Sequence, residues 1–485
     1  MKTYAQFVGL VLFAALVAGN PVVAQGQTFS NLYSFAATSG PTGTNKNGAY
    51  PSSGLTMGDN SLFGATAYGG TSGKGVVFKF DLASRSITNL HNFSALSGPN
   101  PGTNSDGAAP RGELVLSGNT LYGTVYEGGA FGYGAVFAVK TDGSSFTNLY
   151  SFSARTGASL TNFDGANPVA GMLLVGDTLY GTTSYGGHRG RGTLFGITTN
   201  GTGFTNLHSF AGGASDGGNP SSGLLLDGKT FYSTTPVGGV AGQGVVFAIN
   251  TNGAGFTILH HFLGGADDGA QPSGGLALSG SMLFGATYSG GSADKGTVFR
   301  IQNDGTGYTN LHAFQDTTTN FPAMNSGGAG PQGELVISGN TLFGMAGSGG
   351  TFGYGVEFAM NLDGSGFHVL HDHTYNDGYF GGVGMLLSEE TLYGSVFAGG
   401  VSGAGTLFSL QLPAANTPRL TVRQLGTNVV VSWPANGAGF VLQFTTDLGP
   451  SAAWSTTLPN PVIVNGQNTV TDACTDLRRF YRLRK

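Results

Sequence analysis

The chain repeats itself, and this repetition constrains the fold more than any other feature of the sequence. The segment that begins Leu121-Tyr122-Gly123 and ends in Gly128-Gly129 recurs along the chain. Seven copies, spaced about 50–60 residues apart, begin at Leu62, Leu121, Leu179, Phe231, Leu283, Leu342 and Leu392. Internal periods of this kind are typical of solenoids and propellers, in which each repeat packs on its neighbours. We number the corresponding parts of the chain modules one to seven.

Each module contains four short apolar runs separated by turn residues, which predicts four β-strands per module. In module two the runs are 113–116, 120–126, 135–140 and 146–152. A Gly-rich loop, 128–134, precedes the third run, and Asp142-Gly143 precedes the fourth. Asp-Gly and Asn-Gly pairs tolerate the positive φ of a tight hairpin. We find no helical periodicity after Gln25.

The composition indicates a folded β protein rather than a disordered chain. Gly accounts for 87 of the 485 residues, but 34 Phe and 18 Tyr accompany them, and disordered chains are poor in aromatic residues. The net charge is -5, and no patch rich in Lys and Arg stands out, so nucleic-acid binding is not predicted. The single cysteine, Cys474, excludes an intrachain disulfide.

The frame of the repeat predicts that the modules close into a ring. The pattern of the fourth run also occurs at 29–35, before module one, whereas module seven stops after its third run at 406–410. A strand at 29–35 therefore completes the last module, and closure hides the edges of the sheets. We predict an all-β fold, a seven-bladed β-propeller of four-stranded blades over residues 28–412. A β-solenoid is the structural alternative, although open solenoids require polar capping repeats.

The two ends of the chain lack the repeat. Residues 1–24 have a charged start, a short apolar stretch and small residues before Ala24, which predicts a secretory signal peptide, with an N-terminal anchor helix as the alternative. No later stretch is apolar enough to cross a membrane. A linker is expected at 413–418. Alternating apolar residues over 419–485 predict a small C-terminal β-sandwich of fibronectin-III-like shape.

The repeated pattern resembles that of a known family. Module three shows Leu-Tyr-Gly-Thr at 179–182, Gly-Gly at 186–187, Gly-Thr-Leu-Phe at 192–195 and Asn-Gly-Thr-Gly-Phe-Thr-Asn-Leu-His-Ser-Phe at 200–210. This pattern is similar to the Gloeobacter/Verrucomicrobia (GloVer) repeat of secreted bacterial proteins, over about four fifths of the chain. The layout of the module is also similar to kelch repeats and to the central domain of galactose oxidase. The resemblance implies export, and it implies no reaction and no catalytic residue.

The long loops after the second and fourth runs share one face of the predicted propeller, and binding concentrates where loops are elaborated on a rigid scaffold. One loop position there, each time followed by Gly, holds Asn47, Asp106, Asp164, Asp216, Asp268 and Asp377. These side chains either form a ring that binds cations or cap nearby backbone N–H groups in Asx-type turns. Their repetition across the modules favours the local structural role.

Modules two and six depart from the other five at the innermost run. That run begins with Gly in five modules but with Glu113 and Glu334 in these two. The same modules share similar loops, which carry Phe131 and Tyr133 in module two and Phe352 and Tyr354 in module six. Two acidic groups with aromatic side chains on one face suit a sugar or a cation. The alternative is that the two modules share a recent duplication and nothing more.

Module six also differs in its third run, where Glu357 stands at a position that is Val or Leu elsewhere. A carboxylate at such a position needs a partner, so it either pairs with a basic group or belongs to the binding site. His368, His371 and His373 lie nearby in sequence, with Asp377 close behind, which is a conceivable metal site. His371, however, belongs to a repeated column of Tyr and His, for which we expect a structural role instead. No metal site is predicted.

Two functional hypotheses from different classes follow. The first is a secreted or cell-surface scaffold, monomeric and without a cofactor, which binds a carbohydrate or a protein on the long-loop face. Its binding residues would be Glu113, Phe131, Tyr133, Glu334, Phe352, Tyr354 and Glu357. The second is a carbohydrate-active or oxidoreductase propeller enzyme that uses Glu113 and Glu334. The enzyme hypothesis gains if these two carboxyls face a common pocket at the spacing that glycosidases use.

Overall fold

A computed structural model describes residues 27–40, 42–319, 322–379 and 384–413, and then 421–425, 428–434, 440–446, 454–456, 458–464, 467–473 and 479–484. The predicted signal peptide and the predicted linker, apart from Pro413, lie outside these residues. All the named elements are strands, as expected, and among the described residues no helix has the length and hydropathy that a bilayer crossing requires. Residues Gln27–Gln411 form one compact unit, and the described residues from Leu412 onward belong to a second.

The strands of the first unit follow the modules in chain order, after an initial strand β1 (Thr28–Ser34). The first sheet contains β2 (Ala49–Pro51), β3 (Thr56–Gly58), β4 (Ser61–Tyr68), β5 (Val76–Asp81) and β6 (Ser86–Asn92). The second contains β7 (Ala108–Pro110), β8 (Val115–Ser117), β9 (Thr120–Glu127), β10 (Ala135–Lys140) and β11 (Phe146–Ser151). The third contains β12 (Leu173–Val175), β13 (Thr178–Thr183), β14 (Thr193–Thr198) and β15 (Thr205–Ser209).

Modules four and five continue this arrangement. Module four holds β16 (Gly217–Gly218), β17 (Leu225–Asp227), β18 (Thr230–Thr235), β19 (Val237–Gly238), β20 (Val245–Asn250) and β21 (Thr257–His261). There β17, β18, β20 and β21 form the fourth sheet, and β16 pairs separately with β19. The fifth sheet contains β22 (Gly269–Pro272), β23 (Ala277–Ser279), β24 (Met282–Gly290), β25 (Thr297–Gln302) and β26 (Thr309–Ala313).

The sixth sheet contains β27 (Ala329–Ser338), β28 (Thr341–Ser348), β29 (Val356–Asn361) and β30 (His368–Asp372). The seventh is built from β31 (Met385–Ser388), β32 (Thr391–Val396) and β33 (Thr406–Gln411), and β1 pairs antiparallel with β33 as its fourth strand. The N-terminal strand thus completes the last module, as the frame of the repeat predicts. The described part of the first unit therefore forms seven sheets of four or five strands, besides the two-stranded sheet of β16 and β19.

The predicted strands of module two agree closely with the structure, except at the innermost run. That run was predicted at 113–116, but β8 covers Val115–Ser117, and the short strand β7 precedes it. Both pair with β9. Glu113 therefore lies between two short strands rather than inside one. The chain bends at Gly112, between the two strands, and passes close to module three there, since an added Cβ would lie 2.3 Å from the carbonyl oxygen of Ala170.

Each sheet contacts the next through its outer strand. The repeated His or Tyr of the fourth strand stacks on an aromatic ring of the following module, in the pairs His91–Phe146, Tyr150–Phe204, His208–Phe256, His260–Tyr308 and His312–Phe367. His371 of the sixth sheet stacks in the same way on Phe29 of β1, with ring centroids 3.6 Å apart. The expected structural role of this column is confirmed.

The seventh sheet also contacts the first. Ser395 Oγ donates to the carbonyl oxygen of Ser53 over 3.1 Å, and the backbone N–H of Tyr50 donates to the carbonyl oxygen of Ala404 over 2.7 Å. Leu407 packs in one apolar cluster with Phe78 of the first sheet. Contacts between successive sheets therefore run from the first to the seventh and return to the first.

The second unit contains two small sheets. β34 (Thr421–Leu425), β35 (Asn428–Pro434), β37 (Val462–Val464) and β38 (Gln467–Asp472) form one, and β36 (Val441–Thr445) pairs with β39 (Phe480–Arg484) in the other. Trp433 of the first sheet and Leu442 of the second belong to the same apolar cluster. Two sheets that share a core agree with the expectation of a small β domain, while its likeness to fibronectin III stays a prediction.

Candidate functional site

The two exceptional carboxyls are positioned by the residues that follow them. Leu114 and Leu335, the next residues along the chain, are 2% and 4% exposed and anchor in the apolar cores of their modules. Successive side chains of an extended chain point in opposite directions. Glu113 and Glu334 consequently point away from these cores and line a cavity of about 930 Å³.

The cavity is lined by segments from all seven modules. Most of them are the beginnings of the innermost runs, joined by the ends of second strands, including Tyr68 and Phe397. These positions adjoin the long loops, on the face where the sequence predicted binding. Glu113 and Glu334 therefore share one cavity, although 221 positions separate them in the sequence.

Each carboxyl lies beside a glycine of the preceding module. A Cβ added to Gly54 would be 2.8 Å from Glu113 Oε2, and a Cβ added to Gly275 would be 3.3 Å from Glu334 Oε2. The glycines at the innermost position thus leave space for the two Glu side chains. Within the described residues, neither carboxyl has a hydrogen bond or an ion pair (seven ion pairs are present, all elsewhere).

The protein surroundings make both carboxyls weak acids. Burial, with the nearby Glu334 carboxylate as a second cause, raises the pKa of Glu113 to about 8. Glu334 is more open to the cavity than Glu113, and desolvation by the protein atoms around its carboxyl raises its pKa to about 7. At neutral pH a substantial fraction of these groups is protonated, so they donate as well as accept hydrogen bonds.

Arg111 lines the same cavity but does not neutralise these carboxyls. Its guanidinium Cζ lies 4.3 Å from the ring centroid of Tyr126, in a cation–π contact, and its Nε is buried without a hydrogen-bond partner. The equivalent residue in module six is Gln332, which also lines the cavity. The site thus combines two acids, one cation held on an aromatic ring, and one amide.

The four predicted aromatic residues lie outside the lining of the cavity. Phe131 and Phe352, at equivalent loop positions, are 49% and 48% exposed. Arg155 lies over the rings of Tyr133 and Tyr185, with Cζ 5.1 Å and 5.3 Å from their centroids. These side chains therefore belong to the loop surface.

The loop aromatics of module six form a second cluster. Tyr354 contacts the rings of Tyr375 and Tyr379, with centroids 6.0 Å and 5.6 Å apart. Tyr375 in turn stacks on Tyr379 over 5.5 Å. Both aromatic clusters thus involve residues that the sequence analysis did not single out.

Glu357 is also separate from the cavity. It is fully buried in the sixth sheet, where its Oε1 lies 2.6 Å from Nε2 of His373. The first of the two expectations for this residue, a basic partner, is therefore met inside the sheet.

The Asp residues at the repeated loop position perform the expected local role, whereas Asn47 donates from Nδ2 to the hydroxyl of Tyr33 over 2.8 Å. Asp106 accepts hydrogen bonds from the backbone N–H of Ser94 over 3.0 Å and lies 2.9 Å from His91 Nε2. Burial opposes ionisation of Asp106, but the hydrogen bonds from His91 and Ser94 outweigh it and lower the pKa. Asp164, Asp216, Asp268 and Asp377 accept backbone N–H groups in the same way.

Comparison of the sequence with protein families decides what kind of chain this is. The model of the Gloeobacter/Verrucomicrobia repeat matches residues 25–162 and 158–327, which together exceed half of the chain. The chain belongs to the Gloeobacter/Verrucomicrobia repeat family. No curated protein matches the sequence.

Several solved β structures are similar to this Gloeobacter/Verrucomicrobia repeat protein at low identity. PorZ, a surface component of the type-IX secretion system of Porphyromonas gingivalis, is 13% identical with a TM-score of 0.47, and the match covers 91% of this chain and 57% of that one. An oligogalacturonate lyase from Vibrio parahaemolyticus is 10% identical, with a TM-score of 0.48 and coverage of 80% and 97%. An oligogalacturonate lyase in complex with manganese is 11% identical, with a TM-score of 0.46 and coverage of 80% and 96%.

Sequence reasoning missed Arg155 in this repeat protein, and it named His373 only within a conceivable metal site and not as the partner of Glu357. His373 stands where the other modules have Phe, so the same comparison that singled out Glu357 would have found this pair. Arg155 follows the fourth strand of module two, and nothing in the repeat marks its stacking between two Tyr rings.

Proposed function

We propose that this chain is a secreted or cell-surface binding protein whose seven modules close into a seven-bladed β-propeller, and that its central channel binds a carbohydrate between Glu113 and Glu334. The observation that carries the proposal is the pair of carboxyls, without hydrogen-bond partners among the described residues, in one cavity of about 930 Å³. Ligand sites typically combine a concave, largely apolar lining with a few convergent polar groups.

Closure into a propeller is supported by the pairing of β1 with β33 and by the contacts of the seventh sheet with the first. It is supported further by a cavity to which every module contributes. In a ring the innermost segments converge on the axis, which explains why residues far apart in sequence line one channel.

A sugar suits the chemistry of this channel. Carboxyls with a pKa of about 8 and about 7 exchange hydrogen bonds in both directions with hydroxyl groups near neutral pH. Arg111 and Gln332 add further donors, and Tyr68 and Phe397 add aromatic faces. A small organic cation fits less well, because the Arg111 guanidinium lines the same space.

A glycan array probed with the full secreted chain tests the proposal. We expect binding to one class of glycan, and we expect Glu113→Ala together with Glu334→Ala to weaken it about 10-fold or more, since the glycan loses two hydrogen-bonding partners. Glu389→Ala removes an exposed carboxyl outside the cavity and serves as the matched control. A flat array, or equal binding by the double variant, contradicts the proposal and leaves a protein ligand as the next candidate.

A second candidate is a carbohydrate-active enzyme that uses the same two carboxyls. The observation in its favour is the coupling between them, since Glu334 contributes to the raised pKa of Glu113. A carboxyl that stays protonated near neutral pH is suited to general acid catalysis. Turnover of a glycan that binds on the array, abolished by Glu113→Gln while binding persists, would favour the enzyme over the scaffold.

We also propose the division of the chain into a signal peptide at 1–24, a propeller at 28–412, a linker at 413–418 and a fibronectin-III-like domain at 419–485. The compact unit Gln27–Gln411 supports the second boundary. Mass spectrometry of the protein exported by a bacterial host tests the first, with a mature N-terminus at Gln25 as the expected result.

A further inference from the structure

Module six departs from the other modules at two core positions that face each other. The position of Glu357 holds an aliphatic residue in the others, namely Val77, Val136, Leu194, Val246, Val298 and Leu407, and the position of His373 holds Phe35, Phe93, Phe152, Phe210, Phe262 and Phe314. All twelve of these apolar residues are 0% exposed. Module six thus places a carboxyl and an imidazole in the most apolar part of its sheet.

This exchange leaves polar atoms unsatisfied. Glu357 and His373 are 0% and 2% exposed, and they make one hydrogen bond with each other. Glu357 Oε2 is also buried and has no hydrogen-bond partner, and buried His371 Nε2 has only the Asp377 carboxylate beside it, 3.5 Å away. Burying a carboxylate is strongly unfavourable unless its oxygens are fully paired. The one hydrogen bond with His373 pairs only Oε1 of the carboxylate and leaves Oε2 without a partner.

We propose that Glu357, His371 and His373 bind a divalent transition metal ion, with Zn²⁺ as the best match. One ligand atom from each residue lies within 4.8 Å of the others. Ligand atoms around tetrahedral Zn²⁺ are about 3.3 Å apart, so side-chain shifts of about 1 Å complete the geometry. Two imidazoles and one carboxylate form a ligand set that zinc commonly takes in proteins.

A bound ion would coordinate these buried polar atoms. It gives the Glu357 carboxylate and His371 Nε2 a common partner, and the proton between Glu357 and His373 leaves His373 Nε2, because a ligating nitrogen carries no proton. The Asp377 carboxylate lies 3.5 Å from His371 Nε2 and, with water, is the available fourth ligand. The side chains of His371 and Asp377 are 20% and 22% exposed, which gives the ion a path from solvent.

The site lies against the strand that completes the seventh sheet. Phe29 of β1 stacks on His371 and meets the ring of His373 edge-on, with centroids 5.7 Å apart. Asn31 Nδ2 also donates to the carbonyl oxygen of Asn376 over 3.2 Å. Fixing the two imidazoles therefore also fixes the surface on which β1 rests, and metal loading should strengthen the attachment of this strand.

Titration of the metal-free full chain with Zn²⁺ tests the proposal. The protein is purified without a histidine tag and stripped with a chelator, and Cys474 is replaced by Ser so that no thiol competes for the ion. We expect one equivalent of Zn²⁺ by calorimetry, a higher Tm after loading, and the visible absorption of tetrahedral Co²⁺ when that ion is substituted.

Variants locate the ion. The double change Glu357→Val with His373→Phe restores the pair that the other modules carry, so it should fold and lose the bound equivalent. His371→Phe keeps a ring to stack on Phe29 and should weaken binding about 100-fold or more. His208→Phe removes the corresponding imidazole of module three and should leave binding unchanged. Absence of a bound equivalent in the parent chain, or an undiminished one in the double variant, overturns the proposal.

Discussion

At the scale of single residues, the informative positions are those where one module departs from the others. His312 is an example, because the Asp that accompanies His91, His208 and His260 is replaced in its module by Gly327. Burial without this partner lowers the pKa of His312 to about 4. The local charge of the column therefore depends on a residue about fifteen positions away in the sequence.

Gly327→Asp should restore the missing pair. A Cβ at this position meets only Phe367, at 3.7 Å, so the substitution fits sterically. We expect the pKa of His312 to rise by about two units, as a neighbouring carboxylate favours the imidazolium. The measurement is an NMR pH titration of labelled histidines, with Gly327→Asn as the uncharged control.

The same change has a consequence for stability with a defined sign. His312 has a pKa of about 4 in the folded protein against an ordinary value of 6.5. Because the unfolded chain takes up this proton more readily, the free energy of unfolding decreases as the pH falls from 6.5 towards 4. Gly327→Asp should recover about 1–3 kcal/mol of unfolding free energy at pH 4 and little at pH 8. Equal effects at both pH values would show that the new carboxylate does not pair with His312.

The substitution Glu113→Gln tests the raised pKa of the Glu113 carboxyl in the cavity. Since the pKa of Glu113 rises from 4.5 to about 8 on folding, stability is fully present below pH 4.5 and declines as the pH rises to about 8. The variant should remove this decline and gain about 1 kcal/mol on the wild type between pH 5 and pH 9, a modest value because channel water screens the charge. Urea unfolding at the two pH values measures it, with Glu389→Gln as the control that should show no such gain.

At the scale of elements, the structure explains why glycine recurs in the repeated Leu-Tyr-Gly-Thr segment. A Cβ on Gly123 would lie 2.5 Å from Phe137 Cζ and 2.7 Å from Leu114 Cδ2, so the buried Phe of the third strand needs the space that glycine leaves. In module four, Ser233 takes this position, and the facing Leu224 is only partly buried there. A side chain at the glycine position and a fully buried Leu opposite it therefore do not occur together in module four.

Gly123→Ala should destabilise the protein by about 1–3 kcal/mol through overpacking. Gly213→Ala is the matched control, because a Cβ at Gly213 meets nothing within 4 Å, and its effect should stay within about 0.5 kcal/mol. Thermal and urea unfolding of the two variants distinguish them. An equal cost in the two variants would show that contact with Phe137 is not its cause, since the lost backbone freedom of the unfolded chain by itself favours folding.

The fourth strands carry a feature that the repeat did not reveal. In the second sheet Val136 pairs with Tyr150 and Phe137 with Asn148, so Leu149 bulges out of the ladder. The same one-residue shift occurs in all seven sheets. An apolar run gives no sign of a bulge, because its alternation of side chains changes only once the strand pairs with a neighbour.

At the scale of the whole molecule, the N-terminal strand β1 supplies the fourth strand that module seven lacks. Ser30 of β1 faces Ser409 of β33, 379 positions later in the sequence. Ser30→Cys with Ser409→Cys should therefore form a disulfide, provided that Cys474 is replaced by Ser. Closing so long a loop restricts the unfolded chain, and we expect a gain of up to about 5 kcal/mol.

The readout is the Tm of the oxidised double variant against its reduced form, which serves as its own control. A disulfide that forms in high yield and raises the Tm supports the attachment of β1 to β33 in solution. Failure to oxidise, with the reduced protein folded, would argue against this pairing.

The sequence by itself determined the class of the fold, the number of modules and the displaced fourth strand, because side-chain alternation and turn residues are local and are repeated seven times. It also singled out Glu113, Glu334 and Glu357 as exceptions. Only the tertiary structure separated their roles. The first two line one cavity, although 221 positions separate them in the sequence, and the third pairs with His373 inside a sheet. The physical reason is that a carboxyl's partner and pKa depend on what packs around it, which the order of residues along the chain does not contain.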